Sequence, residues 1–263
     1  MSGVGPSTPG DVHVDRLRLV VDDPVSRHVS AALHAPSIVT GPPVLLAHAA
    51  GSDLDDEPLV ALAQVIASLG HPAVRVNLPF REVGRRGAPR AEHSVEPYAA
   101  VLRAAAAHLG VAGPWVVGGR SYGGRVASLL VAAQRTASQP SSPDPRWRLP
   151  AMVGLLCASY PLHPPHRPDR LRVEHWPRIT VPTLLLQGTR DPLCRLALLD
   201  DHLSSIAGPV TVRLVTGGDH SLRTTASSDA TGVARPAAST IAELTGDVAD
   251  WLASLPGEHA PAS

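Results

Sequence analysis

The hydrophobic pattern changes character along the chain. In residues 12–21, Val12, Val14, Leu17, Leu19 and Val21 stand out against polar neighbours, as in a half-buried strand. Residues 28–34 read as its hairpin partner. Residues 43–48 then form a short, wholly apolar run, the pattern of a strand covered on both faces. Further strands are expected at residues 73–78, 114–117, 152–158, 182–188 and 210–215. Between them the period lengthens. Leu59, Leu62, Ala63, Ile66 and Leu69 recur at helical spacing, behind an acidic cap at Asp55, Asp56 and Glu57 and ahead of Gly70. Helices are also expected over residues 95–108, 125–134, 196–206 and 239–255. Residues 79–93, 138–148 and 161–168 read as loops, the second an exposed Ser/Pro-rich connection. Strands alternating with helices predict an α/β fold: about eight strands, mostly parallel after an antiparallel hairpin, with helices on both faces. There is no internal repeat, so residues 11–255 are read as one domain between a disordered tail (1–10) and a C-terminal tail (256–263). Residues 159–182 leave room for a loop but for no large lid.

Composition narrows the class. The 263 residues suit one α/β domain. Lys+Arg and Asp+Glu both number 23, so nothing in the charge balance favours nucleic acid or an anionic membrane. Two cysteines make no disulfide framework, and Cys157, in an apolar run, is expected to be a buried small hydrophobe. The first ten residues lack the basic start and apolar core of a signal peptide, and no apolar run reaches the roughly 20 residues that span a bilayer. The expectation is a soluble, cytoplasmic protein, a monomer or homodimer, acting on a small molecule.

The chemistry is concentrated in Val116-Val117-Gly118-Gly119-Arg120-Ser121-Tyr122-Gly123-Gly124. An apolar strand stops at a Gly-x-Ser-x-Gly turn and runs into a helix, the pattern of a nucleophile elbow with Ser121 as nucleophile. The turn is tight enough that side chains at Gly119 and Gly123 would collide with each other or with the neighbouring strand. The bland reading is a glycine-rich turn whose serine caps a helix. The remaining groups argue against it. A serine hydroxyl needs a base, and the base an orienting carboxylate, each from a loop at the carboxyl end of a later strand. Gln187-Gly188-Thr189-Arg190-Asp191-Pro192 supplies Asp191, which could also serve as a helix N-cap. Gly217-Gly218-Asp219-His220-Ser221 supplies His220, the one histidine of 13 that follows both Ser121 and Asp191 at a strand end. Asp219 is less suited, because a residue rarely curls back onto its own neighbour's ring. Backbone N–H groups for an oxyanion are expected from Tyr122 and from the loop after the early strand, at Ala50 first and Ala49 second.

Arg120, inside the elbow, needs a compensating acid, for which Glu82 is the candidate. Arg85 and Arg86 could hold a substrate carboxylate, although solvated surface charge is the simpler reading. His163 and His166 form a His-x-x-His pair. Pro164 and Pro165 make it an extended loop with no carboxylate or thiol cluster, so no metal site is expected.

With these residues in place, the chain resembles the α/β-hydrolase superfamily from about residue 12 to residue 255, and within it the small bacterial dienelactone-hydrolase-like hydrolases. The resemblance rests on Leu45-Leu46-Ala47-His48-Ala49-Ala50-Gly51, on Pro79-Phe80-Arg81-Glu82 with Gly84-Arg85-Arg86, on the elbow, on Tyr160-Pro161-Leu162-His163-Pro164-Pro165 and on Gln187-Gly188-Thr189-Arg190-Asp191-Pro192. It implies a Ser121, Asp191, His220 triad, no cofactor, and an esterase-like reaction through an acyl-enzyme on Ser121. Thioester cleavage, acyl transfer or a non-catalytic scaffold role are the alternatives that the same fold hosts. Two departures stand out. Such proteins usually carry Gly where this chain has Ala49, which would be strained if that position took positive φ. True dienelactone hydrolases use a cysteine nucleophile where this chain has Ser121, so their substrate does not carry over.

Overall fold

The computed structural model describes residues 11–85, 87–137 and 148–256. The expected tails, save Pro256, the connection 138–148, save Arg148, and Arg86 lie outside the described residues. Strands Val12–Val20 (β1) and His28–Pro36 (β2) form the antiparallel hairpin, with Val12 opposite Pro36 and Val20 opposite His28. Strands Val44–Ala47 (β3), Ala73–Val76 (β4), Trp115–Arg120 (β5), Met152–Ala158 (β6), Thr183–Gly188 (β7) and Val210–Val215 (β8) are mutually parallel. The eight strands lie in the order β1-β2-β4-β3-β5-β6-β7-β8, with β2 antiparallel to β4. The chain therefore leaves β3 in one direction, to β4, and returns on its other side at β5. That reversal opens a crevice at the carboxyl ends of β3 and β5, where open α/β sheets bind ligands.

The helices are Glu57–Ser68 (α1), Pro79–Glu82 (α2), Val95–Leu109 (α3), Tyr122–Ala137 (α4), Leu196–Leu203 (α5), Ala237–Glu243 (α6) and Thr245–Ala253 (α7). They cover both faces because the central strands are apolar on both. Leu45, Ala47, Val117, Leu155, Cys157 and Leu185 face one buried cluster, packed under Tyr98 and Leu102 of α3 and Val126 and Leu130 of α4. The alternate residues Val44, Leu46, Val116, Leu156 and Leu184 face the other, under Leu59, Leu62 and Ile66 of α1 and Ile241, Val248 and Trp251 of α6 and α7. This period-two division of wholly apolar runs explains why the strands lack a polar face. Each fully buried Leu or Ile contributes about 2 kcal/mol of transfer free energy.

Three expectations are corrected in detail. The last helix is two: α6 ends and α7 begins at Leu244, whose φ −85° and ψ 5° leave the helical region. Thr245 and Gly246, poor helix formers, follow the break, and the Thr245 hydroxyl donates back to the Ala242 carbonyl at 2.6 Å. Part of the arginine-bearing loop is ordered as α2 and as a 3₁₀ turn at Ala91–Ser94. Finally, Asp56 sits at the N-cap of α1, but its side chain makes no capping bond and is committed elsewhere, as described below. Between β6 and β7 the only helical element is a 3₁₀ turn, Trp176–Arg178. No lid covers the sheet there. Among the described residues no helix is long and apolar enough to cross a membrane.

Two buried histidines make the fold sensitive to acid. His34 accepts from Arg75 Nε at 2.9 Å, and His175 pairs with the Ser128 hydroxyl at 2.8 Å. Burial, reinforced in each case by a neighbouring arginine, lowers both rings to about 4. In the unfolded chain these rings titrate near 6.5, so the unfolded state binds more protons as pH falls below that value. Stability from this source is complete above pH 6.5 and is lost down to about pH 4, by on the order of 1–2 kcal/mol per ring after allowance for solvent access. Urea unfolding at pH 7.5 and 4.5 measures the slope. His175→Gln should flatten it, and a slope unchanged in that variant would refute the assignment.

Candidate active site

Four strand ends meet at the crevice: β3 leads to His48-Ala49-Ala50, β5 to Ser121, β7 to Asp191 and β8 to His220. Ser121 has φ +50°, the left-handed geometry that a sharp strand-to-helix turn imposes on its middle residue. Its N–H is tied to the Ala158 carbonyl at 2.8 Å and its carbonyl accepts from Arg125 N–H at 3.0 Å, so the turn is fixed from both sides. The flanking glycines are required for close approach. A Cβ on Gly119 (φ +153°) or on Gly123 would run into the carbonyl oxygen of Ala47 on β3. Gly119→Ala therefore adds backbone strain to a clash with backbone, and should cost on the order of 3 kcal/mol. Chemical denaturation reads this directly, and a loss below 1 kcal/mol would mean that β3 yields.

The three sequence-expected side chains come together. His220 Nε2 lies 2.8 Å from Ser121 Oγ, and His220 Nδ1 lies 2.7 Å from Asp191 Oδ2. The carboxylate can only accept, so Nδ1 carries the proton and Nε2 presents its lone pair to the serine hydroxyl. Asp191 is buried and held by more than the ring: Oδ2 also accepts from Gln187 Nε2 at 2.6 Å, and Oδ1 from Leu193 N–H at 2.8 Å. Asp219 is occupied inside its own loop, where Oδ1 accepts from the N–H groups of Ser221 and Arg223 at 2.7 and 3.0 Å.

Tyr122 and Ala50 line the same groove as Ser121, and among the described residues no acceptor pairs with the N–H of either. The loop bearing Ala49 and Ala50 is organised by His48. Its Nε2 accepts from Leu78 N–H at 3.2 Å, its Nδ1–H donates to the Ala49 carbonyl at 2.7 Å, and its own carbonyl accepts from Gly123 N–H at 3.1 Å. Burial lowers the pKa of this ring, which keeps it neutral, as its acceptor role at Nε2 requires. Ala49 is not among the described residues with positive φ, so the Gly-to-Ala departure there carries no backbone strain.

Arg120 is where the sequence reading needs correction. Its acidic partner is Asp56, at 2.8 Å, and not Glu82. Glu82 instead accepts from Ser30 N–H at 3.0 Å and from Asn77 Nδ2 at 2.8 Å, joining β2 to the end of β4. The second terminal nitrogen of Arg120 donates to the His220 carbonyl at 3.1 Å and to Ser221 Oγ at 2.7 Å. One guanidinium thus links the elbow, the start of α1 and the histidine loop. Gln187 was also missed, although a polar residue closing the apolar run 184–186 is the kind of signal that marks a buried partner.

The groove at Ser121 has a volume of about 610 Å³. Arg85 is exposed and does not line it, and Arg86 lies outside the described residues. Arg90, Arg125 and Arg172 line it instead. His163 is used structurally: its ring pairs with the Pro164 carbonyl at 3.0 Å and accepts from Arg195 N–H at 3.3 Å. A larger groove, of about 800 Å³, lies at the opposite rim among Leu33, Val39, Pro43 and Pro114, remote from these groups.

The Alpha/beta hydrolase domain family matches residues 41–248, most of the chain, and the protein belongs to that family. Solved structures share its fold. A dienelactone hydrolase from Anabaena variabilis superposes with a TM-score of 0.62 at 16% identity, over 94% of this chain and 99% of that one. An a/b serine hydrolase without lid from Xanthomonas campestris gives 0.60 at 17% identity, over 96% and 99%. An alpha-beta serine hydrolase homologue from Coxiella burnetii gives 0.60 at 16%, over 90% and 95%.

Proposed function

We propose that this protein is a serine hydrolase that cleaves a carboxylic ester or thioester of a small soluble substrate through an acyl-enzyme on Ser121. The observation that carries the reading is the unbroken relay of 2.8 Å from Ser121 Oγ to His220 Nε2 and 2.7 Å from His220 Nδ1 to Asp191 Oδ2. As Ser121 Oγ attacks the carbonyl carbon, its proton passes to His220 Nε2, and Asp191 stabilises the resulting imidazolium. The carbonyl oxygen becomes an oxyanion, received by the N–H groups of Tyr122 and Ala50. His220 returns the proton to the leaving oxygen or sulfur, and the bond to it breaks. Water then repeats the sequence with His220 as base, releasing the acid and regenerating Ser121. The open rim between β6 and β7 suits a small, soluble substrate.

A fluorophosphonate probe tests the nucleophile. Labelling of the folded wild type, mapped to Ser121 and lost in Ser121→Ala, is the expected result. Absence of labelling would favour a non-catalytic scaffold that has kept the fold. A panel of 4-nitrophenyl esters and acyl-CoAs then separates ester from thioester cleavage.

A further inference from the structure

The groove around Ser121 is cationic although the chain as a whole is neutral, with 23 basic and 23 acidic side chains. Arg90 precedes the 3₁₀ turn Ala91–Ser94, Arg125 lies on α4 and Arg172 on the β6–β7 connection, so three separate segments bring guanidinium groups to one cavity. A single carboxylate, Glu92, lines the same cavity, and it is taken by Arg125 at 2.6 Å. Among the described residues no carboxylate stands within ion-pair distance of Arg90 or Arg172. Arg172 is half-buried and its backbone is pinned: its N–H donates to the Leu162 carbonyl at 2.9 Å and its carbonyl accepts from the Tyr160 hydroxyl at 2.7 Å. One of its terminal nitrogens donates to the Pro161 carbonyl at 3.2 Å. Burial, and then repulsion from Arg125, lower its pKa, against smaller opposing contributions from Tyr160 and Glu92.

A half-buried guanidinium with no carboxylate within ion-pair distance costs free energy unless an anion arrives to pair with it. The geometry points to an anionic subsite in this groove, formed by Arg172, Arg125 and Arg90, that takes a carboxylate carried by the substrate in addition to its scissile ester. This rests on Ser121 being the nucleophile and names the substrate class of that reaction: monoesters of dicarboxylic acids, or esters whose alcohol or phenol leaving group carries a carboxylate. A planar carboxylate matches the free N–H edge of a guanidinium bidentately, and a charge-assisted pair of that kind corresponds to roughly 10- to 100-fold in selectivity.

The test compares matched substrates. Mono(4-nitrophenyl) adipate is set against 4-nitrophenyl hexanoate, which places the charge on the acyl side. For the leaving-group side, 4-acetoxybenzoate is set against its methyl ester. In one pair at least, wild-type kcat/KM should favour the anion by about 10-fold or more at low ionic strength, and this ratio should shrink in 0.5 M salt by the screening expected of a partly exposed pair. Arg172→Gln should lower the same ratio about 10-fold, and Arg172→Lys by less. Because the readout is a ratio, partial misfolding of a variant cancels. No preference in either wild-type pair, or a preference unchanged by Arg172→Gln, overturns the subsite while leaving the hydrolase reading intact. If neither Ser121 labelling nor ester turnover is seen, that reading fails instead. Calorimetric titration with adipate then decides the subsite: binding lost in Arg172→Gln upholds it, and no binding to the wild type overturns it.

Discussion

Ser121→Ala should lower kcat toward any ester the wild type cleaves by about 10⁴- to 10⁶-fold, the loss seen when a serine nucleophile is removed from a relay of this geometry. His220→Ala should cost about as much, and the double variant no more than either alone, since the two groups act on one proton. Asp191→Asn should cost about 10⁴-fold, because an amide facing Nδ1 favours the wrong tautomer of the ring. Stability separates these effects from misfolding. Serine and alanine both carry a Cβ at φ +50°, so Ser121→Ala should leave the unfolding free energy within about 1 kcal/mol. Ser121→Gly removes the Cβ and should be at least as stable as Ser121→Ala, yet equally inactive. Steady-state kinetics beside urea denaturation reads both quantities. Activity within tenfold of wild type in Ser121→Ala would place the nucleophile elsewhere.

The fold was legible because its signals are local and repeated. Short apolar runs such as 44–47 and 184–186, set between Pro and Gly, fit a strand buried on both faces, and Leu59, Leu62 and Ile66 fix the inner face of α1. Ser121, Asp191 and His220 were legible for a different reason: each stands at the end of a strand in a turn too constrained for most sequences. The groups around them were not. That Asp56 and not Glu82 meets Arg120 depends on how α1 docks beside β5, and that distance is set by side-chain packing between segments 64 residues apart. Asp56 looked like a helix cap because local sequence makes it one; tertiary structure drew its carboxylate away. The arginines of the groove were obscured in the same way. Arg85 sits in a conspicuous basic run yet points outside the groove, whereas Arg125 and Arg172 are separated by 46 residues of unremarkable spacing and meet only after folding.

Arg120→Met should be the most damaging substitution outside the Ser121, His220 and Asp191 relay. Both partners of the Arg120–Asp56 pair are largely buried, with side-chain exposures of 9% and 14%. Removing the cation leaves a carboxylate uncompensated near the interior, at a cost of about 3–5 kcal/mol. It also releases the His220 carbonyl and Ser221 Oγ, so the imidazole loses the brace that sets its distance from Ser121. A misplacement of about 1 Å at that contact lowers turnover by about 10²-fold. The two effects can be separated. In Arg120→Met with Asp56→Leu, the orphaned carboxylate is gone and an apolar pair takes its place, so most of the lost stability should return. Turnover should not return with it, because neither new side chain can donate to the His220 carbonyl. Fluorophosphonate labelling of Ser121 should slow in parallel with kcat in both variants, since it uses the same base. Recovery of full activity in the double variant would show that the guanidinium serves stability alone; a persistent loss at restored stability identifies Arg120 as the residue that positions the general base.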